Sequence, residues 1–209
     1  EASTAANAEK GYVMYDEKGR AVRENSQNHM GGYTLKYTKP DFAGKTVYAV
    51  TMHRRTDSNT AVQVREDFTY DDQNRLLSHT HKINSGAAEQ LVLNEYDALG
   101  RLIRKSVGGI PGAPLQKVNF NYSIRGWLKG INDTNGLQQP GDPKDLFAFG
   151  IRYDDPESGN NYNGTPLFNG NISQTLWKTS SDNILRKYGY SYDEMNRLTE
   201  AVYIKDDTR

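Results

Sequence analysis

Tyr96-Asp97-Ala98-Leu99-Gly100-Arg101-Leu102 sets out a pattern that recurs along the chain: an aromatic ring, an Asp, two free positions, a Gly or Asn, a basic residue, then a leucine. It returns as Tyr70-Asp71-Asp72-Gln73-Asn74-Arg75-Leu76 and Tyr192-Asp193-Glu194-Met195-Asn196-Arg197-Leu198, and without the leucine as Tyr15-Asp16-Glu17-Lys18-Gly19-Arg20. Two looser copies keep the frame: Asp41-Phe42-Ala43-Gly44-Lys45, and Tyr122-Ser123-Ile124-Arg125-Gly126-Trp127-Leu128. The unit has the chemistry of a β-hairpin turn. A type I turn favours Asp or Ser at its first position, and a left-handed residue after it gives the three-residue loop with a G1 bulge. Gly19, Gly44, Asn74, Gly100, Gly126 and Asn196 are the residues expected at positive φ, because Gly and Asn tolerate it. The Asp and the following basic residue then face each other as a cross-strand pair, a structural role for Asp16/Arg20 and Asp97/Arg101 rather than a catalytic one.

The turns are spaced by about 25, 30, 26 and 26 residues from Asp16 through Asp41, Asp71 and Asp97 to Ser123. Such a period leaves roughly nine residues per strand, about 30 Å, and is too short for a propeller blade of about 40–45 residues. The expectation is all-β: consecutive antiparallel hairpins in a twisted, coiled open sheet. Period-two alternation sets Tyr188, Tyr190 and Tyr192 on one face and Lys187 and Ser191 on the other, so the rings are expected to be half-buried and the alternate side chains solvated. Residues 1–10 read as a small, polar lead-in and 11–209 as one repeat domain, with irregular loops at 132–144 and 154–166. Asn25 to Gly32 reads as loop, and Pro40, in the place of the repeat Tyr, as the mark of an irregular sheet edge.

Composition supports a thin structure. Hydrophobic residues make up 35% of the 209 residues and Tyr outnumbers Phe by 14 to 6, which suits half-exposed sheet better than a thick core. The 26 basic residues balance the 26 acidic ones, so no net field draws in nucleic acid or an anionic membrane. Cysteine is absent, which excludes disulfides and cysteine metal clusters, and no apolar run is long enough to cross a bilayer as a helix. The chain begins at Glu1 without a signal pattern and is read as a processed or excised piece of a longer protein.

In register, the units Tyr-Asp-x-x-Gly-Arg-Leu resemble the YD repeats of the RHS (rearrangement hotspot) family. Asn121-Tyr122-Ser123-Ile124-Arg125-Gly126-Trp127-Leu128, Tyr162-Asn163-Gly164 and Asn169-Gly170-Asn171-Ile172-Ser173 are similar to Bacteroidetes-type members. The resemblance runs from about Gly11 onward. It implies a segment of a spiral shell of β-hairpins, a non-enzymatic scaffold on the cell surface, in the cell wall or in a secreted toxin carrier. The implied location is extracellular. The implied partners are neighbouring repeats of a longer chain, with glycans or an encapsulated effector as further candidates, and open sheet edges favour self-association. Autoproteolysis is not implied, because Asp155-Pro156-Glu157-Ser158-Gly159 misses the Asp-Pro-x-Gly spacing.

Candidate ligand-binding residues are Trp127 and Trp177, whose rings suit sugar stacking, and Asp154 and Asp155, a carboxylate cluster in the second loop. His79 and His81 stand two apart on a strand, a spacing that turns both rings to one side, with His53 as a third candidate metal ligand and no carboxylate partner identifiable. A carbohydrate-binding or adhesion module is the alternative reading, and a glycan-acting enzyme the third. No cofactor is called for, and no catalytic motif is recognisable.

Overall fold

The computed structural model describes residues 8–157 and 165–205. It contains fourteen β-strands: β1 (Lys10–Tyr15), β2 (Ala21–Gln27), β3 (Gly31–Pro40), β4 (Thr46–Thr56), β5 (Val62–Tyr70), β6 (Leu76–Ile83), β7 (Glu89–Tyr96), β8 (Leu102–Val107), β9 (Gln116–Tyr122), β10 (Leu128–Ile131), β11 (Phe147–Arg152), β12 (Gln174–Thr179), β13 (Arg186–Tyr192) and β14 (Leu198–Lys205). Order in the sheet follows order in the chain, with antiparallel pairing throughout the registers described. No helix long and apolar enough to cross a membrane occurs among the described residues. Part of 1–10 and of the 154–166 loop, with Tyr162-Asn163-Gly164, lies outside the described residues.

Two compact units divide the chain, one of 1–94 with 107–114 and the other of 95–106 with 115–209. In the first, the repeat turns form as their chemistry dictates. Asp16 N–H donates to the Arg20 carbonyl and Gly19 N–H to the Asp16 carbonyl, both at 2.9 Å. Oδ1 of Asp16 accepts the N–H groups of Lys18 and Arg20, while Oδ2 takes the Arg20 Nε–H at 2.7 Å. One carboxylate thus satisfies three donors in the tightest part of the chain. The same set recurs at Asp71/Arg75, and in the second unit at Asp97/Arg101 and Asp193/Arg197. Gly19, Gly44, Asn74, Gly100, Gly126 and Asn196 all sit at positive φ, from 60° at Asn196 to 94° at Gly44.

Asn25–Gly32 is not loop throughout. β2 runs to Gln27 and β3 starts at Gly31, joined by a turn of the same construction with Asn28 in the Asp position. Asn28 Oδ1 accepts the N–H groups of Met30 and Gly32, and Gly31 takes the left-handed place at φ 79°. Gly32 stands where the other turns carry a basic residue. A Cβ there would lie 2.1 Å from the Arg55 carbonyl oxygen, closer than real contacts come, so only glycine fits.

Pro40 does not mark a sheet edge, because β3 lies between β2 and β4. Its ladder with β2 stops at Arg23↔Tyr37, so Pro40 lies past the last partner on that side and its missing N–H breaks no rung. The hairpin at Asp41 closes normally, with Asp41 N–H on the Lys45 carbonyl at 2.7 Å.

Burial in the first unit is slight, with Ala49 and Gln90 among its few fully covered side chains. The second unit has a thin core on one face of β11–β14. Ala148, Leu176, Val202 and Ile204 are buried there, together with Gln174 and Lys187. The register places Gly150, Leu176, Lys187 and Ile204 in one row across the strands. In β13 Tyr190 and Tyr192 are half-buried as expected, but Lys187 and Tyr188 depart from the sequence expectation. Lys187 is the covered side chain, its ammonium 3.5 Å from the Glu157 carboxylate, whereas Tyr188 on the other face stays 36% exposed. The long aliphatic stem of lysine makes this burial tolerable once its head is paired.

Candidate functional site

The tyrosine of the repeat has a partner that its own hairpin does not contain. In the first unit, Tyr70 Oη–H donates to the Thr46 carbonyl at 3.0 Å. In the second, Tyr122 donates to Leu102 at 2.9 Å, Tyr153 to Leu128 at 3.2 Å and Tyr192 to Ile172 at 2.9 Å. Three of these acceptors directly follow the basic residue, or its substitute, of the preceding repeat: Lys45, Arg101 and Trp127. That same side chain covers the tyrosine ring. Lys45 Nζ lies 4.7 Å from the Tyr70 centroid and the Arg101 guanidinium 5.2 Å from Tyr122. Where tryptophan replaces the cation, its ring meets Tyr153 at 5.1 Å. The return connection runs from Arg20 Nη1 to the Asp41 carbonyl at 2.7 Å and from Arg101 Nη1 to Ser123 at 3.1 Å. Between the repeats at Asp97 and Ser123, both in the second unit, a hydroxyl fastens in one direction and a guanidinium in the other.

Tyr153-Asp154 shows that one repeat is split. Tyr153 makes the repeat hydroxyl bond, but Asp154 leads into a long connection. The chain comes back at Gly170-Asn171-Ile172, and Ile172 supplies the carbonyl for Tyr192. Trp127 packs against this return: a Cβ on Gly170, at φ 97°, would stand 3.2 Å from its ring. Trp127 also borders a recess of about 410 Å³ with Asp154, Leu167 and Phe168. Asp155 pairs with Lys129 at 2.6 Å.

Trp177 belongs to an aromatic cluster on β12–β14, facing away from the core. It stacks on Tyr188 at 5.7 Å and meets Tyr203 at 6.1 Å, and Tyr188 and Tyr203 touch at 5.3 Å. Tyr203 is 40% exposed, so this face offers a ring surface to solvent.

His79 and His81 each have a carboxylate partner, which sequence reading did not find. Nε2 of His79 lies 3.0 Å from Glu66 and Nε2 of His81 3.0 Å from Glu89. His79 also stacks on Phe68 at 4.3 Å, and His53 bonds instead to Thr34. Among the described residues, no three His, Cys, Asp or Glu side chains come together in a way that would hold a metal ion.

A second recess, of about 530 Å³, lies over β9–β11 in the second unit. Gly130 and Gly150 are register partners beneath it, and the Leu176 and Arg152 side chains reach to 3.3 and 3.4 Å of where a Cβ on Gly150 would stand. Asn119 and Asn121 of β9 border it on one side, and the connection after β10 folds back over it with Thr134, Gln139, Asp142 and Asp145. Asp145 N–H on the Leu137 carbonyl at 2.7 Å pins that connection. The Asp145 side chain is only 3% exposed, and its Oδ2 is buried with no hydrogen-bond partner. Burial, and then the nearby Asp142 and Asp133 carboxylates, push this acid above the usual carboxylate range. None of these acids stood out in sequence, because their convergence depends on a loop whose path no periodicity sets.

No family model and no curated protein matches the chain. Among solved structures, the Tc holotoxin pore of Photorhabdus luminescens is similar over 98% of this chain, at 10% identity and a TM-score of 0.28. The chain spans 14% of the length of that structure's chain.

Proposed function

We propose that the chain is a non-enzymatic extracellular scaffold, a run of RHS-type YD repeats from a surface protein or a secreted toxin carrier. The observation that carries this reading is the fastening between successive repeats, Tyr70 to Thr46 and Tyr122 to Leu102. It commits the residues of the repeat to joining hairpins, and the carboxylates of Asp16, Asp71, Asp97 and Asp193 are consumed in closing turns. Neighbouring repeats at the free edges of β1 and β14 are the natural partners, since an unpaired edge strand is a template for further pairing. Light scattering at rising concentration tests this. Self-association that a charged substitution in β14 abolishes supports the reading, and a monodisperse monomer at high concentration counts against it.

The exposed rings of Tyr188 and Tyr203 beside Trp177 favour a second reading, a carbohydrate-binding or adhesion module. Aromatic faces of this kind stack on sugar rings. Binding on a glycan array that disappears in Trp177→Ala, with the fold retained, favours it over the pure scaffold; a silent array sinks it.

A further inference from the structure

The recess over Gly130 and Gly150 holds one buried carboxylate whose Oδ2 has no partner. Of its basic residues, Arg104 bonds Asn119 at 2.9 Å and reaches Glu95 at 3.4 Å, Lys129 pairs with Asp155 at 2.6 Å, and Arg152 pairs with Glu157 at 2.9 Å. Among its acids, Asp142 has Lys117 at 2.5 Å, and Asp133 accepts the N–H and side-chain amide of Asn135. Asp145 alone is both deeply buried and without a donor on Oδ2. An isolated buried carboxylate is costly unless it is neutralised or meets a cation, so the site lacks a positive partner.

We propose that this recess binds a small hydroxyl-rich molecule bearing a protonated amine, an amino sugar by chemical class, and that Asp145 receives its ammonium group. The volume of about 530 Å³ is far more than a bare ion fills and lies in the range of small-molecule sites. Among the described residues no three His, Cys, Asp or Glu side chains come together in a way that would hold a metal ion, which favours an organic cation. Asn121, Thr134 and Gln139 line the recess with amide and hydroxyl groups suited to sugar hydroxyls, and Phe149 adds a ring. This site stands or falls separately from the scaffold reading.

Titration calorimetry of the whole chain with glucosamine, N-acetylglucosamine, glucose and calcium chloride tests the proposal. Saturable binding of glucosamine is expected, about tenfold or more tighter than the two neutral sugars, as for one charge-assisted hydrogen bond. Asp145→Asn is expected to erase that preference while melting as a folded protein. If the variant does not fold, the wild-type contrast between glucosamine and N-acetylglucosamine, which differ in the charge on the nitrogen, still decides. Equal binding of all three sugars, no binding of glucosamine, or a preference that survives Asp145→Asn overturns the proposal. Saturation by calcium alone that is lost in Asp145→Asn also overturns it, by assigning the site to a metal.

Discussion

The hydroxyl of Tyr70 donates to the Thr46 carbonyl at 3.0 Å, 24 residues back in the chain. Thr46 follows Lys45, and the Lys45 ammonium lies over the same tyrosine ring. The unit therefore needs tyrosine rather than phenylalanine: the ring supplies the surface and the oxygen supplies the bolt. Tyr70→Phe is expected to lower stability by about 1 kcal/mol, the net worth of one such bond, with the β-sheet circular dichroism unchanged. Tyr188→Phe, which alters a ring engaged in stacking, is expected to change stability by only a few tenths of a kcal/mol. Urea unfolding of both variants makes the comparison.

Gly126 sits at φ 83°, and a Cβ there would meet nothing within 4 Å. Any cost of substitution is then backbone strain alone. Gly126→Val is expected to destabilise by about 1–3 kcal/mol. Gly126→Asn should be close to neutral, because Asn74 and Asn196 hold the equivalent places at φ 66° and 60°. Equal melting temperatures for the two variants would contradict the turn assignment.

Acid should weaken the fold through its turns. The Arg20 side chain holds the Asp16 carboxyl below the ordinary range, and the backbone N–H groups of Arg101 and Arg197 do the same first for Asp97 and Asp193. At Asp41 and Asp71 burial pushes upward, but the N–H and side chain of Lys45 and Arg75 outweigh it. A lowered folded pKa gives stability that is present above the unfolded value, about 3.9, and lost as the pH falls through the folded values. Thermal midpoints should stay level from neutral pH to about 5 on this account, then drop steeply with further acid.

Asp145 has the opposite sign. Its folded pKa is raised, by burial first and then by Asp142 and Asp133. Its contribution is therefore most favourable below the unfolded value and is lost as the pH rises through the folded one. Asp145→Asn should raise stability at neutral pH by roughly 1 kcal/mol, or roughly 2–4 °C, and the gain should vanish below about pH 4. Paired melting curves at neutral and acid pH would show it.

The turns were legible in sequence because everything that closes them is local: the Asp, its two N–H partners and the basic residue fall within five positions. Asn28-His29-Met30-Gly31 escaped notice for a related reason. It keeps the Asx side chain and the left-handed glycine, but the basic residue is replaced by Gly32, which the carbonyls of Arg54 and Arg55 leave no room to change. Reading Asn in the Asp place would have found it. The bonds from Tyr70, Tyr122 and Tyr192 were not legible, since a carbonyl carries no sequence signature and its identity depends on the register of the neighbouring hairpin. Lys187 was misplaced for the complementary reason. Alternation tells which residues share a face, but what covers that face, here Glu157 and its neighbours, comes from an irregular segment. The recess around Asp145 depends on the same kind of long return and was hidden equally.

The fastenings between repeats also set how the chain reaches its native state. Tyr70 and Thr46 are 24 residues apart, Tyr122 and Leu102 only 20, which is about a tenth of the chain's length, so these ties close short loops. Each acceptor carbonyl has already been synthesised when its tyrosine is made. A growing chain can therefore close one hairpin, bolt it to the last, and move on, so that no strand waits for a distant partner while its edge lies open to aggregation.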